Sequence, residues 1–160
     1  MTTAYLLTGS NLGNSLTLLQ QAQEEIAKRV GPPVAVSSVY VTAPWGITDQ
    51  PSFLNQALQV ETSLSPQELI HNLLDIEISL GRVRTEKYGP RTIDIDILLY
   101  GNSILNEPNL QVPHPQLPHR RFALLPLAEL APDLIHPVTG KTIRQLLEEC
   151  PDQGLVQQLK

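Results

Sequence analysis

A chain of 160 residues with 41% apolar content is long enough to bury a core and is read as one domain, residues 1–160. Its net charge of −5 argues against a general nucleic-acid binder, whose affinity comes largely from neutralising phosphates. No run approaches the roughly 18 to 20 apolar residues of a membrane span. Cys150 is the only cysteine, so no intramolecular disulfide is available, and the residues before Gly9 lack the basic stretch of an export signal; together these favour the cytoplasm.

In chain order, residues 4–8 read as a strand that ends at a turn, Gly9-Ser10-Asn11. Over residues 12–30 the apolar positions Leu12, Leu16, Leu19, Ala22, Ile26 and Val30 recur at helical spacing, and Gly31-Pro32-Pro33 stops the helix. The β-branched run 34–41 predicts a strand, 42–52 a loop, and Phe53–Thr62 another strand. Ser65-Pro66-Gln67-Glu68 is the clearest helix start: Ser65 caps, Pro66 suits the first helical position, and Glu68 completes a capping box. Leu69, Leu73, Ile76 and Leu80 give that helix its apolar stripe, and Gly81 ends it. Residues 92–100 read as a strand. Beyond residue 102, prolines at 108, 113, 115, 118, 126, 132 and 137 permit only short elements, with one helix at about 142–149 and no signal from Pro151 onward. The order strand, helix, strand, strand, helix, strand predicts an α+β, ferredoxin-like βαββαβ core. Its sheet would be mostly antiparallel with helices packed on one face, followed by a proline-rich C-terminal extension.

The segment Gly89 to Tyr100 carries the strongest chemical signal. Side chains alternate along a strand, so Asp94 and Asp96 share one face while Ile93, Ile95 and Ile97 take the other, with the two aspartate Cα atoms roughly 6.5 to 7 Å apart. Aspartate is disfavoured in strands and like charges on one face repel, so a metal site explains the pair better than a solvated face does. Magnesium takes a few hard oxygen ligands and leaves positions open for phosphate. Arg82, Arg84, Lys87 and Arg91 put four of the eleven Lys and Arg into ten residues just before this strand. Alone they fit a solvated loop as well as a phosphate grip; beside two metal-binding carboxylates they fit phosphoryl transfer. His114, His119, Arg120 and Arg121 form a second dense patch on a proline-stiffened loop, suited to phosphate. Gly9 to Asn14 lacks the Gly-Lys-Ser/Thr end of a phosphate loop and reads better as a turn and cap. Phe53 and Phe122, the only phenylalanines, are either ordinary core aromatics or a pair that sandwiches a flat heterocycle.

Gly89-Pro90-Arg91-Thr92-Ile93-Asp94-Ile95-Asp96-Ile97-Leu98 resembles the signature of the 6-hydroxymethyl-7,8-dihydropterin pyrophosphokinases. The resemblance extends through Gly9-Ser10-Asn11, Ser37 to Pro44, Gln50 to Asn55, Glu77 with Gly81 to Arg84, Val112-Pro113-His114, and residues 122–137. It implies transfer of the β,γ-diphosphate of ATP to the hydroxymethyl group of the pterin, giving AMP, in folate synthesis. ATP and 6-hydroxymethyl-7,8-dihydropterin would be the small-molecule partners, with no nucleic acid, membrane or obligate protein partner. It also implies roles: Asp94 and Asp96 holding two magnesium ions, and Arg82 and Arg91 acting catalytically with them. Glu77, Arg82, Arg84, Arg91, His114 and Arg120 would serve ATP, Arg82 and Arg84 from a closing loop. Phe53 and Phe122 would stack on the pterin. Asn55 would bond its amide edge, and Thr42, Ala43 and Trp45, in the 42–46 loop, would read the rest. The chain departs from the family's pattern at Tyr88, where a tryptophan occurs, at Phe53, where a tyrosine occurs, at Pro115, and in a loop one residue short before Gly89. Lys87 and Tyr88 are left without roles.

Overall fold

The computed structural model describes residues 1–11, 14–42, 52–81 and 93–159. Strand β1 (Thr2–Ser10) is an inner strand of the sheet, paired antiparallel with β4 (Phe53–Thr62) on one side and β5 (Asp94–Tyr100) on the other. It is buried without interruption from Ala4 to Ser10, because helices cover both faces of the sheet and no polar alternation is needed. Gly9 and Ser10 therefore belong to the strand and not to a turn. The following helix α1 (Ser15–Arg29) begins later than its periodicity suggests, at the Asn14 cap, whose side chain accepts from the Thr17 amide at 3.5 Å. Leu19, Ala22 and Ile26 are its buried stripe, whereas Leu16 is half exposed.

The strand expected over 34–41 is two strands, β2 (Pro33–Val36) and β3 (Tyr40–Thr42), both antiparallel to β4. Ser37 causes the break. Its hydroxyl accepts the Ala57 amide at 2.9 Å while its own amide donates to the Ala57 carbonyl, so a side chain takes over one rung of the ladder. Val36 then faces Leu58 and Tyr40 faces Asn55, one residue more on this side than on β4, which is a bulge. Helix α2 (Pro66–Ser79) starts as expected: Glu68 N donates to Ser65 Oγ at 3.1 Å and Ser65 N to the Glu68 carboxylate at 2.9 Å.

The sheet runs β5-β1-β4-β3-β8, with β2 beside β3 on the same edge of β4, and every pairing is antiparallel. This is the predicted ferredoxin-like arrangement. Helices α1 and α2 close one core on Ala4, Leu6, Leu58, Val60, Ile93, Ile95 and Ile97. The helices are not confined to that face. The hairpin β6 (Leu105–Glu107) and β7 (Leu110–Val112) leads through a 3-10 turn at Leu117–His119 into α3 (Arg121–Leu130). With α4 (Ile143–Glu149), α3 closes a second core on Tyr5, Leu7, Leu98 and Leu99. The chain then adds β8 (Val156–Gln158) to β3. The proline-rich segment thus carries a ten-residue helix, with Pro126 inside it. Pro126 offers no amide to the Phe122 carbonyl, a loss of order 3 kcal/mol in an exposed helix. Burial of Ala123, Leu124 and Leu127 against the sheet offsets it.

In β5 the register slips between the partners of Tyr5 and Leu6, so Leu98 is an extra residue. Leu98 and Leu99 both enter the second core, while Ile97 and Tyr100 enter the first. No helix among the described residues is long and apolar enough to cross a membrane.

Candidate active site

Sheet register assembles most of the site. Tyr40 faces Asn55 across β3 and β4, Asn55 faces Gly9 across β4 and β1, and Gly9 faces Asp94 across β1 and β5. Directly opposed residues project to the same face, so these four form one row across four strands. Thr42 opposite Phe53 flanks the row on one side, and Leu7 opposite Asp96 flanks it on the other. Leu7 belongs to the second core, so the row lies on the face that α3 covers. Asn55 and Asp94 are one strand apart on either side of Gly9, roughly 10 Å at the usual strand spacing.

Gly9 is needed where it stands. A Cβ there would approach Asn55 Nδ2 to 2.5 Å, and that amide donates to the Thr8 carbonyl at 3.2 Å across the same gap. Asn55 is thereby fixed and buried. Thr42 Oγ1 is also buried and, among the described residues, has no hydrogen-bond partner. A buried hydroxyl left so is costly unless a ligand completes it.

On β5, Asp94 and Asp96 are half-buried on the predicted face, with Ile93, Ile95 and Ile97 buried on the other. Between them the Ile95 amide donates to the Glu77 carboxylate at 2.7 Å. Glu77 is itself only 4% exposed, on α2, so it pins the edge strand that carries both aspartates. Two hard carboxylates two residues apart on one face fit magnesium, which needs few protein oxygens. Among the described residues no group of three or more His, Cys, Asp and Glu converges into a closed metal cage.

His114 joins β5 through its own amide, which donates to the Leu98 carbonyl at 2.9 Å. Its Nδ1 accepts the Gln116 amide at 3.1 Å, which leaves Nε2 as the protonated nitrogen of the neutral ring. Burial first, and the nearby Arg120 charge second, pull His114 down to about 4. It is therefore an uncharged donor at neutral pH. Arg120 stands at the N-cap of α3 with its guanidinium carbon 5.6 Å from the centroid of the Phe122 ring, within cation–π range. The Arg121 amide in the first turn is taken by Asp152 Oδ2 at 3.3 Å, since Arg120 supplies no side-chain cap.

The family model of 7,8-dihydro-6-hydroxymethylpterin-pyrophosphokinase matches residues 5–132. The chain belongs to this family. Among relatives, the 2-amino-4-hydroxy-6-hydroxymethyldihydropteridine pyrophosphokinase of Methylorubrum extorquens is 44% identical over 156 residues, 97% of this chain and 98% of the relative. The protein of the same description from Synechocystis is 46% identical over 142 residues, 88% of this chain and 72% of its own length. The solved HPPK-DHPS of Plasmodium falciparum matches at a TM-score of 0.74 with 20% identity, covering 93% of this chain. This chain spans 43% of that longer one, and the likeness there is one of fold.

Of the residues that resemblance to the pyrophosphokinases singles out, the fold brings Asp94, Asp96, Asn55, Phe53, Thr42, His114, Arg120 and Phe122 to one face of the sheet or the elements that cover it. Glu77 reaches β5 from the opposite helical layer. Arg82, Arg84, Arg91, Ala43 and Trp45 lie outside the described residues, as do Lys87 and Tyr88. Two participants escape sequence reasoning. Gly9 reads from sequence as a turn residue, and only its place inside β1 marks it as a point of close approach. The contact of Tyr40 with Glu129 gave no sequence signal.

Proposed function

We propose that this chain moves the pyrophosphoryl group of ATP onto the hydroxymethyl group of 6-hydroxymethyl-7,8-dihydropterin, and that residues 1–160 act as one domain whose sheet row Tyr40–Asn55–Gly9–Asp94 is the floor of the reaction. Family membership carries the reaction itself: ATP is the donor, the pterin the acceptor, and the step belongs to folate synthesis. The row supports the assignment of residues, because it sets a group suited to a heterocycle's amide edge one strand away from a carboxylate suited to metal and phosphate.

In this reading Phe53 and Phe122 stack on the two faces of the pterin, while Asn55 and the Thr42 hydroxyl take its polar edge, together with Ala43 and Trp45. Asp94 and Asp96 would hold the two magnesium ions, which when bound neutralise phosphate charge and polarise the P–O bonds. His114 donates from Nε2–H to a phosphate oxygen without adding charge, and Arg120 supplies charge, with Arg82, Arg84 and Arg91. Glu77 keeps β5 in place, so that both carboxylates stay aimed at the same point. The pterin hydroxyl oxygen forms a bond to the β-phosphorus, and the bond from that phosphorus to the oxygen bridging to the α-phosphorus breaks in line. AMP leaves, and in this reading the hydroxyl proton is lost late, with Asp96 taken as its acceptor. Such a step needs positioning and charge neutralisation more than a strong base.

Product analysis tests it. ATP, magnesium and the pterin should give AMP and a pterin diphosphate in equal amounts. ADP with a pterin monophosphate would overturn the diphosphoryl mechanism, and no product from folded protein would overturn the reading as a whole.

A further inference from the structure

Glu129, in the last turn of α3, reaches across to Tyr40 of β3 and to Ser38 just before it. Its Oε1 accepts the Tyr40 hydroxyl at 2.6 Å, and its Oε2 accepts the Ser38 amide at 2.9 Å and the Ser38 hydroxyl at 3.4 Å. Gln158 Nε2 of β8 donates to the same Ser38 hydroxyl at 2.8 Å. These partners are 89 and 91 residues away in sequence, so the contact fixes how α3 packs on the sheet rather than any local turn. Hydrogen bonds to a charged acceptor are about twice as strong as neutral ones. Tyr40 is buried, and burial, then its bond to Glu129, push its phenol up to about 12, so it remains a donor.

What α3 carries gives this contact a functional reading. Phe122 is in its first turn, roughly 10 Å along the axis from Glu129 at 1.5 Å per residue. Tyr40 faces Asn55 directly and is two residues from Thr42, which faces Phe53. Both ends of the helix are fixed by groups from elsewhere in the chain, Asp152 at the start and β3 at the end. A ring sandwich tolerates only small changes in gap, since stacking decays once the rings part.

We propose that Glu129 is a positioning residue for the pterin: by tying α3 to Tyr40 of β3 and to Ser38 just before it, it sets the gap between Phe122 and the strand residues Phe53 and Asn55. This rests on the assignment of the pterin to those residues.

Steady-state kinetics on Glu129→Ala, Glu129→Gln, Tyr40→Phe and Phe122→Ala tests it. Glu129→Ala should raise the KM for the pterin about fivefold, the effect of roughly one net hydrogen bond. The KM for ATP and kcat should change less than the pterin KM, because Asp94, Asp96 and His114 are held on or by β5 and of the described phosphate-side groups only Arg120 rides on α3. Glu129→Gln, which keeps one acceptor oxygen, should recover part of the loss. Tyr40→Phe, which keeps the packing, should shift the pterin KM in the same direction, and it serves as the test if Glu129→Ala does not fold. A pterin KM unchanged in Glu129→Ala or in Tyr40→Phe, or a parallel rise in both KM values, overturns the proposal. Phe122→Ala separates the two levels. If it raises the pterin KM and Glu129→Ala does not, only the positioning role fails; if Phe122→Ala leaves it unchanged, the pterin assignment fails first.

Discussion

His114 carries no charge at neutral pH in this fold, and that has a consequence for stability. Its folded-state pKa is lowered from 6.5 to about 4, chiefly by burial. Above pH 6.5 both folded and unfolded chains hold it neutral and it costs nothing. Below 6.5 the unfolded chain takes the proton first, so stability falls through the window from 6.5 down to about 4. Urea denaturation at steps across that window should show the fall, and His114→Gln should flatten it; an unchanged slope would mean the ring is not held neutral. Asp94→Ala and Asp96→Ala should each reduce AMP formation by two orders of magnitude or more, roughly what a lost charge-stabilising group costs, with circular dichroism unchanged. Retained turnover in either would remove that aspartate from the metal site. Gly9→Ala drives a methyl into the Asn55 amide, which must give up the Thr8 carbonyl. A cost of about 1–3 kcal/mol in stability and a raised pterin KM are expected, measured by thermal melts and kinetics on one preparation.

At the scale of elements, sequence signals were reliable where the cause is local. The capping box at Ser65, the stripe Leu69, Leu73 and Ile76, and the facing of Asp94 and Asp96 all lie within a few residues of their cause, and all stand in the fold. What escaped depends on distant partners. The break between β2 and β3 comes from the Ser37 hydroxyl bonding Ala57, twenty residues on. Helix α3 forms despite Pro126 because its apolar face is buried against Leu7 and Leu98, a payoff that proline counting does not register. Strand β8 is three residues, Val-Gln-Gln, whose only argument for being a strand is the open edge of β3. Of the candidate site, the shared face of the aspartates was readable from alternation, whereas Phe53, Phe122 and Asn55 were singled out for the pterin only with help from resemblance. The α3 start offers a test of these remote supports. Asp152→Ala removes the one carboxylate on the Arg121 amide and should cost about 1 kcal/mol, as other lost caps do, with Asp152→Asn close to neutral. Equal losses in both would indicate that its charge matters more than its capping bond.

At the scale of the whole molecule, two cores share the strands β1 and β5 as a common wall. The family match ends at residue 132, yet Ile143, Leu146 and Cys150 are buried in the second core beyond it. Ile143 and Leu146 alone represent about 3–6 kcal/mol of burial. Set against a typical total of about 5–15 kcal/mol, a chain cut after residue 132 should lose its cooperative melt and bind a hydrophobic dye. A sharp transition in the truncated chain would show the second core to be dispensable. The late arrival of β8 also bears on how the protein is made. Strand β3 obtains its outer neighbour only when Val156–Gln158 has been synthesised, more than a hundred residues after Thr42. At ribosomal speeds of roughly 5–20 residues per second, that edge stays open for on the order of ten seconds in every newly made molecule. During that interval a second nascent chain can pair with it, so crowding on a polysome exposes this protein to misassembly.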